Sequence, residues 1–289
     1  MIKIAILGTG NIGTDLLLKA LKTNSIKVVA FVGRRSDSDG MRIALSHNVT
    51  ISDQGIDFFK HNPNVCDIVY DCTNADDARL HAPIFEKQGI KVIDLTPAKV
   101  GDMCVPDINA DIILTNSNVN MITCGGQASL PMIHLISKHC KDIDYIEVVS
   151  QIASKSAGMA TRLNVDNYIN TTQKAIQKFT GCTNCKVILN LNPAEPEVDM
   201  QTTIFMKAKG VDCDYLTEKI LSKIEDLKKY IPHYELVLKP TINEFGILVV
   251  SVRVRGAGDY LPPYAGNLDI INCAAIQITK YYECNHNRF

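Results

Sequence analysis

Ile2-Lys-Ile-Ala-Ile-Leu-Gly-Thr-Gly-Asn-Ile-Gly13 is the stretch that decides the fold. Ile2 to Leu7 is a short, mostly apolar run rich in β-branched side chains, as expected of a strand buried on both faces of a parallel sheet. Gly8, Thr9, Gly10, Asn11, Ile12 and Gly13 follow at once, and Ile12, Leu16, Leu17 and Leu21 recur at the spacing of one buried helix face. A glycine loop set between strand and helix is the dinucleotide fingerprint. Gly8 makes the tight turn, Gly10 lets a pyrophosphate approach the backbone, and Gly13 lets the helix pack close to the strand.

Alternation continues outward. The pattern predicts strands over 26–32, 67–71 and 91–95, with helices near 38–46, 55–61 and 76–88, which together read as a Rossmann doubly wound parallel sheet of the α/β class. Asp71-Cys-Thr-Asn-Ala75 and Asp94-Leu-Thr-Pro-Ala98 close two strands at their carboxyl ends, where ligands bind in such sheets; the same residue types also serve as helix caps. Beyond residue 123 the predicted order is strand 144–153, helix 165–179, strands 186–191 and 202–208, helix 215–230, strands 233–238 and 246–255, and a last helix 267–282. This second part reads as an α+β domain with a mixed or antiparallel sheet covered by helices on one face. The expected boundaries are 1–123 for the dinucleotide domain, 124–264 for a catalytic and dimerisation domain, and 265–289 for a helix returning to the first.

Composition agrees with a soluble globular protein. The 289 residues are 46% hydrophobic and 21% charged with a net charge of −1, which leaves no basic excess for nucleic acid or membrane. The N-terminal apolar run is too short for a signal peptide, so the ten cysteines are expected to be reduced thiols in a cytoplasm. No metal centre is expected: Cys182-Thr-Asn-Cys185 has metal-like spacing but no second Cys or His pair at a suitable distance. His134 and His139 lie too far along a helix to partner a cysteine near residue 124.

One cysteine stands apart. In Asn120-Met-Ile-Thr-Cys-Gly-Gly-Gln-Ala-Ser-Leu-Pro-Met132 a strand-like run gives way to a helix whose apolar periodicity begins at Leu130, with two glycines to turn the backbone sharply. Cys124 then faces a helix N-terminus, where free N–H groups and the dipole stabilise a thiolate and later an oxyanion. This fits covalent catalysis on an aldehyde or acyl group; a buried cysteine beside a glycine turn fits the same residues.

Asp94-Leu-Thr-Pro-Ala98, Asn118-Val-Asn-Met-Ile-Thr-Cys-Gly-Gly-Gln-Ala128, Ser154-Lys-Ser-Ala-Gly158, Asn192-Pro-Ala-Glu-Pro196 and Ala265-Gly-Asn-Leu-Asp269, with the glycine loop, resemble the acylating acetaldehyde dehydrogenase family across nearly the whole chain. The resemblance implies a Rossmann domain joined to a catalytic and dimerisation domain, a fold related to glyceraldehyde-phosphate and aspartate-semialdehyde dehydrogenases. It implies oxidation of a short aldehyde to acyl-CoA with NAD or NADP and coenzyme A, in a homodimer, with Cys124 as the thioester nucleophile and an aldolase partner. Thr9 to Ile12 would contact the cofactor, as would Ser156, Ala157, Gly158, Met159, Ala160, Thr161, Arg162, Leu163 and Asn164, and also Asn267. Asn164 or the N–H groups after Cys124 would hold the thiohemiacetal oxygen. Two positions depart from the family pattern. Thr202 stands where the family places an acid, and Asp199, three residues away, would point to the opposite face if the strand extends that far. The link Pro240 to Phe245 is short, which speaks against the family's aldolase partner. A non-covalent reductase of the aspartate-dehydrogenase type and a non-catalytic cofactor-binding subunit are the alternatives.

Arg34, Arg35 and Ser36 follow the second strand, where NAD domains usually carry a ribose-binding acid; an arginine pair there suits a 2′-phosphate, and equally a solvated turn. NADP is expected to be used at least as well as NAD, and by about ten-fold better or more, with Arg35→Asp reversing the order. The kcat/KM ratio for the two cofactors measures this. A strong wild-type preference for NAD that Arg34→Ala with Arg35→Ala leaves unchanged would make the arginines a solvated turn.

Overall fold

The computed structural model describes residues 1–98 and 100–286, and it divides into two compact units. The first is Met1–Met121 with Asp259–Leu261 and the residues from Ile271 onward; the second is Ile122–Gly258 with Pro262–Ile270. Among the described residues no helix is long and apolar enough to cross a membrane.

The first unit alternates strand and helix: β1 (Ile2–Leu7), α1 (Asn11–Leu21), β2 (Ile26–Val32), α2 (Asp39–Ser46), β3 (Thr50–Ser52), α3 (Ile56–His61), β4 (Ile68–Asp71), α4 (Ala75–Gln88) and β5 (Lys91–Asp94). β6 (Asp102–Met103), the one-turn helices α5 (Pro106–Asn109) and α6 (Ile112–Thr115), and β7 (Asn118–Asn120) follow. The sheet runs β3-β2-β1-β4-β5-β7-β6 with parallel pairing throughout. Ala5, Leu7, Ala30, Val32, Val69 and Val92 form one core with Phe59 and Phe85, which explains why these strands read as continuous apolar runs. β3, β6, α5 and α6 escaped the sequence reading because two to four residues are too few to show a period. Strand order reverses between β1 and β4, so the crevice outside their carboxyl ends is the switch point where doubly wound sheets bind ligands.

The second unit holds α7 (Cys124–Ser137), β8 (Lys141–Ala153), a 3-10 turn Ser154–Ser156, α8 (Met159–Leu163), α9 (Val165–Thr180), β9 (Cys185–Asn192), β10 (Met200–Lys209), α10 (Cys213–Lys228), β11 (Tyr234–Ile242), β12 (Leu248–Val254) and the start of α11 (Gly266–Asn285). Its sheet is mixed, in the order β11-β12-β10-β8-β9, with β8 and β9 parallel and the other pairs antiparallel. Ile146, Val148, Ser150 and Ile152 on β8, and Met200, Thr202, Ile204 and Met206 on β10, are the inward positions; α7 packs against these strands, with α9 on β9 and α10 on β11.

Three expectations need correction. The helix begins at Cys124 itself, not beyond the two glycines, and Gly125 and Gly126 form its first turn. The sharp turn falls at Ile122, whose φ of 63 is a strained conformation for a β-branched residue, and Thr123 then caps the helix by accepting from Gly126 N at 2.9 Å. Two glycines and Pro131 suppress helix propensity locally, which is why periodicity became visible only later. β10 starts at Met200, so Asp199 precedes the strand and the facing argument does not apply to it. Pro240 and Thr241 belong to β11, and the connection to β12 is a tight turn in which Asn243 Oδ1 accepts from Phe245 N and Ile247 N.

Within the first unit the later turns of α11 are fastened by side chains. Asn272 Nδ2 donates to Asp15 Oδ2 at 2.8 Å and to the Ile12 carbonyl at 3.2 Å, and Thr279 Oγ1 meets the fully buried Tyr70 hydroxyl at 2.6 Å. Tyr70→Phe removes that bond while Thr279 keeps its donation to the Ala275 carbonyl. The expected loss is about 1 kcal/mol, read as a lower urea midpoint at unchanged m value; an unchanged midpoint would show that the pair contributes nothing.

Candidate active site

Gly8 sits at φ +114, and a Cβ there would lie 2.6 Å from the Cys72 carbonyl oxygen; a Cβ on Gly13 would run into the Gly8 carbonyl. Neither position tolerates a side chain. Gly10 is different: no atom lies within 4 Å of where its Cβ would be, so its outer face is open to a ligand. Gly10 also occupies the N-cap of α1 with no side-chain hydrogen bond to the helix end, leaving the first N–H groups and the positive end of the dipole available to an anion. A cavity of about 850 Å³ lies over this loop. Of the residues expected to contact the cofactor, Gly8, Thr9, Gly10, Asn11, Arg34 and Arg35 line it; Ile12, Gly13 and Ser36 do not. Gly13 is buried by packing on the loop behind.

Cys72, Thr73, Asn74 and His81 also line this cavity, and they carry a buried polar pair that sequence reading missed. Asp71, 1% exposed, holds His81 Nδ1 at 2.8 Å and accepts from Thr73 N at 3.0 Å. Asn74 Oδ1 caps α4, accepting from Asp76 N and Asp77 N. The Asp94–Ala98 turn is structural and outside the cavity lining: Asp94 accepts from Thr96 N at 2.7 Å and from Asn120 Nδ2 at 2.9 Å. Burial pushes the Asp94 carboxyl up to about 6, against the pull of those bonds.

Both arginines are engaged by acids. Arg35 meets Asp37 through Nε and Nη2, each at 3.1 Å, and Arg34 Nη1 lies 3.4 Å from Asp77. The Arg35 guanidinium beside it holds the Asp37 carboxyl below the usual carboxylate range. Asp37 lines the same cavity, so this rim offers an arginine and a carboxylate together.

In the second unit, Cys124 is half-buried at the first position of α7. The cap is doubly tied: Thr123 Oγ1 accepts from Gly126 N and lies 2.7 Å from Thr172 Oγ1, which donates to the Tyr168 carbonyl at 2.8 Å. One proton assignment satisfies all three bonds, with Thr123 donating to Thr172. A Cβ on Gly125 would collide with the Tyr168 hydroxyl and lie 2.7 Å from Ser150 Oγ, so glycine follows the cysteine because α9 and β8 crowd it. Burial pushes the Cys124 thiol up to about 11, while the Gly125 N–H and the Tyr168 hydroxyl pull it down. Thr202 is 1% exposed with Oγ1 3.0 Å from Ser150 Oγ.

Asn164 ends α8 and begins α9; its Oδ1 accepts from Asn167 Nδ2 at 3.2 Å, and its carbonyl accepts from Tyr168 N. It therefore stands one helical turn from the tyrosine beside Cys124. Ser156 donates to the Ala153 carbonyl, and Arg162 ties its own loop by donating to Ala157 and Ser154. Ala157 is buried, Gly158 caps α8, and Thr161 and Leu163 lie along it; the side chains of Met159 and Ala160 lie outside the described residues. Asn267, 2% exposed, donates to the Ser156 carbonyl at a long 3.5 Å, and its Oδ1 is buried without a partner. Tyr168 and Ser150 were missed from the sequence. Ser150 had a legible signal, a polar residue on the inward face between Val148 and Ile152; Tyr168 had none.

Residues 124–262 match the family described as prokaryotic acetaldehyde dehydrogenase, dimerisation, and residues 3–122 match semialdehyde dehydrogenase, NAD binding domain. An acetaldehyde dehydrogenase of Spirochaeta aurantia is 53% identical over 281 residues, spanning 97% of this chain and 94% of its own. One from Pectobacterium atrosepticum is 49% identical over 96% and 95% of the two chains, and one from Geobacillus stearothermophilus is 41% identical over the same shares. An aspartate semialdehyde dehydrogenase II of Vibrio cholerae, 14% identical, superposes over 99% of each chain with a TM-score of 0.69, a likeness of fold.

Asp37 competes with any phosphate for Arg35. Asp37→Asn is expected to raise the NADP to NAD ratio of kcat/KM several-fold by freeing the guanidinium and removing a repelling charge. An unchanged ratio would place Arg35 outside the cofactor's reach.

Proposed function

This chain belongs to the acetaldehyde dehydrogenase family, and we propose that it oxidises acetaldehyde with a nicotinamide dinucleotide and delivers the acyl group to coenzyme A by way of Cys124. The observation that carries the covalent reading is the half-buried Cys124 thiol at the first position of α7. The thiolate attacks the aldehyde carbon, an S–C bond forms, and the carbonyl electron pair moves onto oxygen. The N–H groups of the first turn of α7 and the dipole behind them stabilise that oxyanion, with Asn164 the side chain we assign beside them. The dinucleotide, when bound, accepts the hydride that leaves the former aldehyde carbon. Coenzyme A, as a thiolate, then displaces the Cys124 thiolate from the thioester, and the same donors that stabilised the nucleophile stabilise it as leaving group. Each step is reversible.

Gly8 to Asn11 fit a pyrophosphate, through the open face of Gly10 and the uncapped end of α1. In the second unit, Ser156 to Asn164 and Asn267 are assigned to the same cofactor; the unpartnered Asn267 Oδ1 is an acceptor suited to an amide or hydroxyl donor. Pairing of two copies through residues 124–262 follows from the dimerisation family that this segment matches. The reductase and non-catalytic alternatives gain no support from relatives bearing the acetaldehyde dehydrogenase name.

Incubation with acetaldehyde and oxidised cofactor, without coenzyme A, is expected to leave an acyl adduct on the Cys124 peptide in mass spectra. Cys124→Ala is expected to abolish acyl-CoA formation while cofactor affinity stays within a few-fold, because the glycine loop carries most of that binding. Full turnover by the variant would sink the covalent mechanism.

A further inference from the structure

Tyr168 carries a polar atom that the fold leaves without a use. It is 8% exposed, and its hydroxyl has no hydrogen-bond partner in ordinary geometry. A phenylalanine would avoid the cost of burying that oxygen. The hydroxyl stands over the α-carbon of Gly125, at the cysteine end of α7, with Ser150 Oγ beside it. Ser150 is fully buried on β8, and the register sets it opposite Thr202 of β10, with the two hydroxyl oxygens 3.0 Å apart. Thr202, Ser150 and Tyr168 thus bring a row of hydroxyls to the cysteine end of α7.

We propose that Tyr168 is the hydrogen-bond donor to Sγ of the Cys124 thiolate, and that Ser150, backed by Thr202, aims its proton. The assignment rests on Cys124 being the reacting thiol. Its direction follows from donors: Thr202 donates to Ser150, Ser150 to the Tyr168 oxygen, and the phenolic proton points at sulfur, leaving each oxygen one bond given and, for Ser150 and Tyr168, one received. Burial and the neighbouring Cys124 hold the Tyr168 proton far above its ordinary range, so the hydroxyl stays a donor. Of α9, α10, β8, β10 and β12, the elements packed on α7, only α9 brings a titratable group, Tyr168, to bear on the thiol among the described residues; β8 and β10 present hydroxyls. No carboxylate, imidazole or ammonium among the described residues acts on Cys124. The donor strengthens as charge gathers on sulfur and weakens once sulfur is acylated, so it favours thiolate formation and thiolate departure alike.

The test is the rate of Cys124 alkylation by iodoacetamide from about pH 7 to 10, followed on its peptide by mass spectrometry in wild type, Tyr168→Phe and Ser150→Ala. Removing a donor to the thiolate raises the thiol pKa, so at fixed pH below it Tyr168→Phe is expected to react about ten-fold more slowly. Ser150→Ala should fall in the same direction by a smaller step, and the kcat/KM limb should move to higher pH in parallel. A Tyr168→Phe profile that superposes on wild type overturns the proposal. Should that variant fail to fold, Ser150→Ala carries the test, and an unshifted profile overturns it equally. Alkylation reads the thiol without turnover, so a shifted profile alongside full turnover by Cys124→Ala would remove the covalent function while a flat profile alongside an acyl adduct would remove only the Tyr168 role.

Discussion

Burying a thiol sets a cost for its ionisation, and the groups around Cys124 act against that cost. Desolvation outweighs the donors around the thiol and holds it up at about 11, where almost none would be thiolate near neutral pH. What opposes it is fixed backbone and side-chain dipole: the first turn of α7, the Gly125 N–H and the Tyr168 hydroxyl. Such donors need no proton exchange to act, so in the proposed reaction the nucleophile and later the leaving group meet the same preorganised field.

That field requires the first turn of α7 to stay in place despite two glycines and a proline. Thr123 caps the helix and Thr172 of α9 fastens the cap, against the roughly 1–3 kcal/mol that the left-handed conformation of Ile122 costs. Glycine at 125 is the consequence of this crowding, because any side chain there would displace the tyrosine and serine hydroxyls.

In the first unit the governing constraint is steric. Backbone packs on backbone at Gly8 and Gly13, while Gly10 is left facing open space. The same loop thus binds strand to helix on one side and presents an anion site on the other. Around its rim the charges are balanced, Arg35 against Asp37 and Arg34 against Asp77.

The doubly wound sheet, the mixed second sheet and the glycine loop were legible in residue order, because a strand buried on both faces, a period of 3.6 and a glycine loop are local patterns. Most long elements ended within about two residues of where their periodicity and caps placed them. What sequence could not give was the start of α7, since Gly125, Gly126 and Pro131 argue locally against a helix that tertiary contacts enforce. Nor could it give Asp37 against Arg35, His81 against Asp71, or Tyr168 and Ser150 against Gly125. Ser150, Tyr168 and Thr202 lie 18 and 34 residues apart along the chain and carry no shared period. Only the pairing of β8 with β10 and the packing of α9 bring three hydroxyls to one thiol, because contact between distant residues is decided by the fold and not by spacing.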